Sequence, residues 1–140
     1  MGDDCTCTPE NYNKKVLRYM RNPKNWGRMK NPDASGSMRS SCGDAMIMYL
    51  KVGKRKVRGK EVEFVKNIMF ETTGCAGAVS TASAVTQAVK GKTFDEAMKI
   101  NPDKIIGILG GLPHTKRHCC EMSVATMKEA IKNWKKGRKD

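Results

Sequence analysis

The apolar residues of this chain pass from a strand period to a helix period at Thr73-Gly74-Cys75-Ala76. Before that point Val62, Phe64, Lys66, Ile68 and Phe70 fall in the every-second-residue series of one strand face. After it Ala78, Ala82, Val85 and Val89 recur at i, i+4, i+7 and i+11, the stripe of a helix. A chain that passes from strand to helix once has its strands in one block and its later helices in another. That order predicts an α+β domain, a sheet with helices packed on one face, rather than alternating strand–helix units.

The rest of the pattern fills in this frame. Tyr12, Val16, Leu17, Tyr19 and Met20 fit a short first helix. Asn22 to Gly27 and Asn31 to Ser37 are turn chemistry, so the stretch to Ser41 is expected to be an irregular loop leading into Cys42. Met46 to Val52 reads as a strand, Val52-Gly53-Lys54 as a turn, and Val57 to Thr72 as β-rich, interrupted near Gly59-Lys60. About three antiparallel strands is the economical sheet, because tight turns join antiparallel neighbours. Gly91 ends the helix that follows Cys75, and Thr93 with Glu96 forms a capping box for the next. Asn101-Pro102 separates that helix from one over 103–109. Gly110-Gly111-Leu112-Pro113 breaks the chain again, and a last helix from about His118 carries Val124, Met127, Ile131 and Trp134 on one face.

The 140 residues make one ordinary domain. Residues 1–10 are expected to be a disordered tail, 11–136 the folded domain and 137–140 a basic tail. The acidic, polar N-terminus is not a secretory signal. It fits the bare myristoylation pattern of Gly2 with Thr6, weakened by the aspartates that follow at once. No apolar run approaches the 18 residues of a membrane span, so a cytoplasmic protein is expected.

Lys and Arg number 27 against 14 Asp and Glu, an excess of +13 that favours an acidic partner. The excess is concentrated in Lys51 to Lys60 and in Lys132 to Lys139. The plain reading is a solvated hairpin tip and a frayed tail; the functional one is contact with an acidic protein surface. Nucleic acid is disfavoured, because no aromatic residue inside the first stretch could stack on bases.

Three of the six cysteines sit in short motifs at element boundaries: Cys42-Gly43-Asp44 before the first expected strand, Thr73-Gly74-Cys75-Ala76 after the last, and His118-Cys119-Cys120 at the start of the last helix. Loop ends held by a rigid scaffold are where functional residues concentrate. Without a secretory signal such cysteines point to metal or catalysis rather than disulfides. Thiolates select zinc, cuprous copper or iron–sulfur clusters. A [2Fe–2S] cluster takes four protein ligands; Cys42, Cys75 and Cys119 supply three, and either Asp44 or His118 the fourth. A carboxylate is a hard ligand in a soft site, so it makes the cargo easier to release. Cys119 near a helix N-terminus, beside Lys116, Arg117 and a protonated His118, is expected to be an accessible thiolate able to accept sulfur as a persulfide. Cys5, Cys7, Cys120 and His114 are given no role in the site.

Read together with Asn22-Pro23-Lys24-Asn25, Gly27-Arg28-Met29, Asn31-Pro32-Asp33-Ala34, Val89-Lys90-Gly91-Lys92-Thr93, Leu109-Gly110-Gly111-Leu112-Pro113 and Lys116-Arg117-His118-Cys119, these motifs resemble the IscU/NifU N-terminal family of iron–sulfur cluster scaffolds from about Tyr19 to Trp134. The resemblance implies a non-enzymatic scaffold of the IscU-like (SufE–NifU-like) fold, a three-stranded antiparallel sheet packed with helices. On it a labile [2Fe–2S] cluster is built and handed to apo-proteins. Sulfur would come from an IscS/NifS-like, pyridoxal phosphate-dependent cysteine desulfurase, and iron or electrons from a further donor. Carried over by motif, Cys42, Cys75 and Cys119 are thiolate ligands, and Cys119 is also the persulfide acceptor. Asp44 governs cluster lability and iron (Fe2+) entry, His118 is an alternative ligand, and Lys116 meets the thiolate or a partner. Zinc (Zn2+) would bind at the same five residues. The chaperone-recognition segment Leu-Pro-Pro-Val-Lys of the family reads Leu112-Pro113-His114-Thr115-Lys116 here, which argues against dependence on an Hsp70-type chaperone. A monomer and a dimer sharing one cluster both remain open. The competing reading is a zinc-dependent SufU-type sulfurtransferase; its usual insertion between the second and third cysteines is lacking, and His118 stands where it usually has no histidine.

Overall fold

The computed structural model describes residues 14–39, 44–74, 76–111 and 117–137. Tyr12, the 1–10 segment with Cys5 and Cys7, and the residues 138–140 lie outside them. The order is α1 (Lys14–Arg21), β1 (Ala34–Arg39), β2 (Ala45–Val57), β3 (Lys60–Thr72), α2 (Ala76–Val89), α3 (Phe94–Met98), α4 (Pro102–Ile108) and α5 (Arg117–Gly137). The three strands form one antiparallel sheet in the order β1-β2-β3. This is the expected α+β architecture.

Three local expectations are corrected. The stretch from Ala34 to Arg39 is a strand, not an irregular loop. Its polar sequence pairs with β2 from Ala34↔Leu50 to Arg39↔Ala45, and Gly36 lets α5 lie directly on it. A β-carbon at 36 would run into the backbone of Ala130, standing 2.9 Å from its Cα. Cys42 therefore falls between the first two strands rather than before the first. The second correction concerns Gly53, which is inside β2 rather than in a turn. A β-carbon there would meet the Phe64 ring of β3 at 2.5 Å. The chain turns instead at Arg58-Gly59, where both residues have positive φ (54° and 83°), the pair of conformations that matches the twist of a two-residue hairpin.

The third correction concerns the face of β3. Lys51 pairs with Asn67 and Val52 with Val65, so Lys66 is an extra, unpaired residue in a bulge. The bulge reverses the alternation, and the side buried with Ile68 and Phe70 continues at Val65 rather than at Phe64 and Val62. Val65 uses its backbone to hold the α2–α3 connection: its N–H donates to Lys92 O and its carbonyl accepts from Gly91 N–H, both at 2.8 and 2.7 Å.

Met46, Met48 and Leu50 of β2 and Val65, Ile68 and Phe70 of β3 form the floor of the core. α5 covers β1 and β2, and α2 covers β3. The α2 stripe Ala78, Ala82, Val85 and Val89 is fully buried, as its period requires. So are Met127 and Ile131 of α5, with Trp134 half-buried beside them and bonded from Nε1 to Glu63 Oε2 at 3.0 Å. Thr93 and Glu96 form the expected capping box on α3, and Asn101 caps α4 with Pro102 in its first turn. Residues 54–60 of the first basic stretch are exposed at the hairpin tip, whereas Lys51 is half-buried. No helix among the described residues is long and apolar enough to cross a membrane.

Candidate metal centre

The segment after Cys42 is stitched to the segment before Cys75. Ala45 N–H donates to Thr73 Oγ1 and Ala45 O accepts from Thr73 N–H, each at 3.0 Å. The Thr72 hydroxyl donates to the same Ala45 carbonyl at 2.7 Å and accepts from Gly74 N–H at 3.0 Å. This knot brings the Asp44 carboxylate against Gly74: a β-carbon at 74 would stand 3.3 Å from Asp44 Oδ2. The turn at Thr73-Gly74 thus closes directly over Asp44.

The third motif is tied to α2, the helix that follows Gly74. Cys119 lies in the first turn of α5, as expected. Its carbonyl accepts from Ser123 Oγ at 3.0 Å and from Thr81 Oγ1 of α2 at 3.3 Å, and the two hydroxyls are 2.8 Å apart. Thr81 Oγ1 also lies 2.8 Å from Gly77 O, so its single proton is shared among these acceptors. All of these groups are buried. Burying hydroxyls costs free energy unless they are bonded, so this cluster holds the start of α2 and the start of α5 in one register. His118 Nε2 lies 3.6 Å from Cys119 Sγ. No sequence motif marks Thr81 or Ser123 as a hold on Cys119; it arises from contact between two helices distant in sequence.

The surroundings of Cys119 differ from expectation in two ways. Its side chain is buried, only 1% exposed, rather than openly accessible. And Arg117 is committed elsewhere: its Nη2 donates to Asp103 Oδ1 at 2.7 Å and its Nε is 3.4 Å from Glu121 Oε2. The hydrogen bond and charge of Asp103 hold the guanidinium pKa above its ordinary value.

Cys120 is separated from Cys119 in both direction and chemistry. Its Sγ donates to the Pro102 carbonyl at 3.4 Å, next to the Arg117–Asp103 pair, so it serves the junction of α4 and α5. Burial pushes its thiol up to about 12, against which the Arg117 charge works only in part. It is a structural thiol at neutral pH.

Of the residues named from the sequence, Asp44, His118 and Cys119 lie within the described structure. Cys42, Cys75, Lys116 and His114 lie outside the described residues. Among the described residues no three His, Cys, Asp or Glu side chains cluster closely enough to hold a metal. What the fold brings together is the flanks of the motifs: Asp44 with Gly74, and the first turn of α5 with α2.

Known proteins fit this arrangement. The NifU-like N terminal domain family matches residues 11–140. The chain is similar to the iron–sulfur cluster assembly scaffold protein IscU 1 of Archaeoglobus fulgidus, 37% identical over 121 residues, covering 86% of this chain and 74% of that one. It is also similar to the scaffold protein IscU of Aquifex aeolicus, 35% identical over 130 residues, covering 91% and 79%. In structure it resembles a NifU-like N-terminal protein of Brucella abortus with a TM-score of 0.64 at 19% identity over 91% of this chain and 96% of that one. A SUF-system scaffold protein from Fervidobacterium islandicum has a TM-score of 0.63 at 20% identity, covering 89% and 99%. A sheet ordered β1-β2-β3 under α2 and α5, Asp44 held against Gly74, Cys119 held to α2, and similarity over nearly the whole length lead to one assignment: the chain belongs to the NifU-like N-terminal domain family.

Proposed function

We propose that this protein is a scaffold on which a labile [2Fe–2S] cluster is assembled and from which it passes to apo-proteins. The observation that carries the reading is the junction of Asp44 with Gly74, one residue before Cys75, together with the hydroxyl cluster that fixes Cys119 to α2. Cys42, Cys75 and Cys119 are the thiolate ligands, with Asp44 or His118 completing the set. The similarity to scaffold proteins of Archaeoglobus and Aquifex supports it.

Sulfur arrives as a persulfide on a cysteine desulfurase. The Cys119 thiolate attacks the outer sulfur, a Cys119 S–S bond forms, the donor S–S bond breaks, and the desulfurase cysteine leaves as thiolate. Two electrons from an external donor then reduce that sulfur to sulfide, which joins ferrous iron. Because Cys119 is buried, sulfur uptake requires its surroundings to open. Lys116 is placed by sequence to meet the thiolate or the desulfurase. The hard Asp44 carboxylate admits iron and keeps the finished cluster exchangeable.

The test is anaerobic reconstitution with iron, sulfide and thiol, followed by visible and Mössbauer spectra and by transfer to an apo-ferredoxin. A [2Fe–2S] spectrum that moves to the acceptor is the expected result. A colourless protein that keeps one tight zinc and acts only as a sulfur acceptor for the desulfurase would replace the scaffold reading with the SufU-type one.

A further inference from the structure

The two basic stretches prominent in the sequence are not the only concentration of positive charge. α1, Lys14–Arg21, carries Lys14, Lys15, Arg18 and Arg21 and no acidic residue, and Lys24 follows it. All five are exposed. Among the described residues the ion pairs engage Arg28, Lys51 and Arg117, and none engages these five. At the hairpin tip, by contrast, Arg55 lies 4.6 Å over the Phe64 ring and donates to Gly91 O at 3.0 Å.

The cations border two depressions that share Arg18 and Asn22. One, of about 410 Å³, lies between α1, α2 and the end of α4 and is lined by Lys15, Lys24, Tyr19, Gln87 and Ile108. The other, of about 470 Å³, runs along the adjoining face of α1 past Lys14, Leu17 and Arg21. Among the described residues no carboxylate lines either. The floor of the first is fixed by Tyr19 Oη donating to Gln87 Oε1 at 3.0 Å and Lys15 Nζ donating to Ile108 O at 3.4 Å.

We infer that this trough is a docking site for an acidic, amphipathic segment of a partner protein. The charges are strung along the helix, spanning roughly 10 Å from Lys14 to Arg21 at the α-helical rise. A single phosphate-sized anion needs donors that converge on a point, whereas a row of cations suits a row of carboxylates. Leu17, Tyr19 and Ile108 between the cations offer contact to apolar side chains, as a helix or strand with one apolar edge would present. This site does not depend on which cargo the protein carries.

The test uses the full chain and a fluorescein-labelled 15-residue peptide of glutamate and leucine in helical spacing, read by anisotropy at low and moderate salt. The triple variant Lys15→Glu/Arg18→Glu/Lys24→Glu should weaken binding at least tenfold. The variant Lys54→Glu/Lys56→Glu/Lys60→Glu, with the same change in net charge, should weaken it less than threefold. The neutral Lys15→Gln/Arg18→Gln/Lys24→Gln protein, with an unchanged circular dichroism spectrum, guards against loss of fold and should also bind more weakly. Equal losses in the trough and hairpin variants would reduce the binding to net charge and overturn the site. Tighter binding of inorganic polyphosphate than of the peptide would make it a polyanion site instead. A tenfold gain in peptide affinity on Asp3→Asn/Asp4→Asn/Glu10→Gln would assign the trough to this chain's own acidic segment.

Discussion

The Asp44 carboxylate packs against Gly74, and a side chain at 74 would have no room. A β-carbon there would stand 3.3 Å from Asp44 Oδ2, 3.1 Å from Thr72 Oγ1 and 2.6 Å from Ala78 Cβ. Thr72 is itself pinned to Ala45 O, and Ala78 is in the first turn of α2, so neither can retreat cheaply. Gly74→Ala should cost about 1–3 kcal/mol, the usual range for overpacking. Urea unfolding would show it as a lower midpoint with an unchanged slope. A midpoint equal to the parent's would mean that the turn relaxes freely and that the close approach of Asp44 is not enforced.

Gly36→Ala tests the contact that seats α5 on β1. The added methyl would meet backbone rather than a flexible side-chain end. Loss of stability should be at least as large as for Gly74→Ala, about 2–3 kcal/mol, and should appear as a lowered melting temperature. An unshifted melting temperature would show that α5 lifts off β1 without cost.

The Thr81–Ser123 pair separates stability from cargo holding. Thr81→Val and Thr86→Val each remove a buried hydroxyl with bonded partners, and each should cost roughly 1 kcal/mol. Of these two threonines, Thr81 reaches the Cys119 carbonyl, whereas Thr86 bonds Ser83 O and Asn25. After reconstitution, Thr81→Val should lose its cluster several-fold faster than Thr86→Val at equal stability. Equal lifetimes would confine the hydroxyl pair to helix packing.

Cys119 and Cys120 are adjacent in sequence, yet should behave oppositely toward a desulfurase. Mass spectrometry should find added sulfur on Cys119, with Cys119→Ser blocking uptake and Cys120→Ser leaving it nearly intact. Sulfur found on Cys120 would reverse the assignment. The raised thiol of Cys120 also has a sign in stability: the folded state keeps a proton that the unfolded chain gives up above its ordinary value of 9.0. Its contribution is complete below pH 9 and is lost as pH rises toward about 12. Cys120→Ala should therefore flatten that part of the alkaline unfolding curve.

Much of this was legible because period and caps are local. The buried α2 stripe, the Thr93–Glu96 box and the Asn101-Pro102 helix start need only neighbouring residues to be read. β1 was not legible, because Ser35, Gly36 and Ser37 are turn residues in isolation. They become a strand through β2 on one side and α5 above, both distant in sequence. The bulge at Lys66 escaped for a similar reason: pairing with Lys51 and Val52 sets it, and alternation read on one strand cannot reveal it. The site divides along the same line. The motifs named Asp44, His118 and Cys119, whereas the Thr81–Ser123 hold on Cys119, the engagement of Arg117 by Asp103 and the basic trough along α1 arise from contacts between elements.

The lability assigned to Asp44 can be tested by Asp44→Ala. The backbone of Ala45 and the hydroxyls of Thr72 and Thr73 stitch this loop and stay in place in that variant, so it should keep the circular dichroism spectrum of the parent. If the hard carboxylate is what makes a soft-ligand site exchangeable, its removal should lengthen retention of the reconstituted [2Fe–2S] cluster. It should also slow transfer to an apo-ferredoxin by roughly tenfold, a difference of about 1.4 kcal/mol. The spectrum of the variant carries a second discrimination. An unchanged Mössbauer signature would mean that Asp44 is not a ligand of the finished cluster and acts on iron entry or exit alone. A shifted one would mean that another group, with His118 the candidate 3.6 Å from Cys119 Sγ, takes its place. Transfer as fast as from the parent protein would remove Asp44 from the release step.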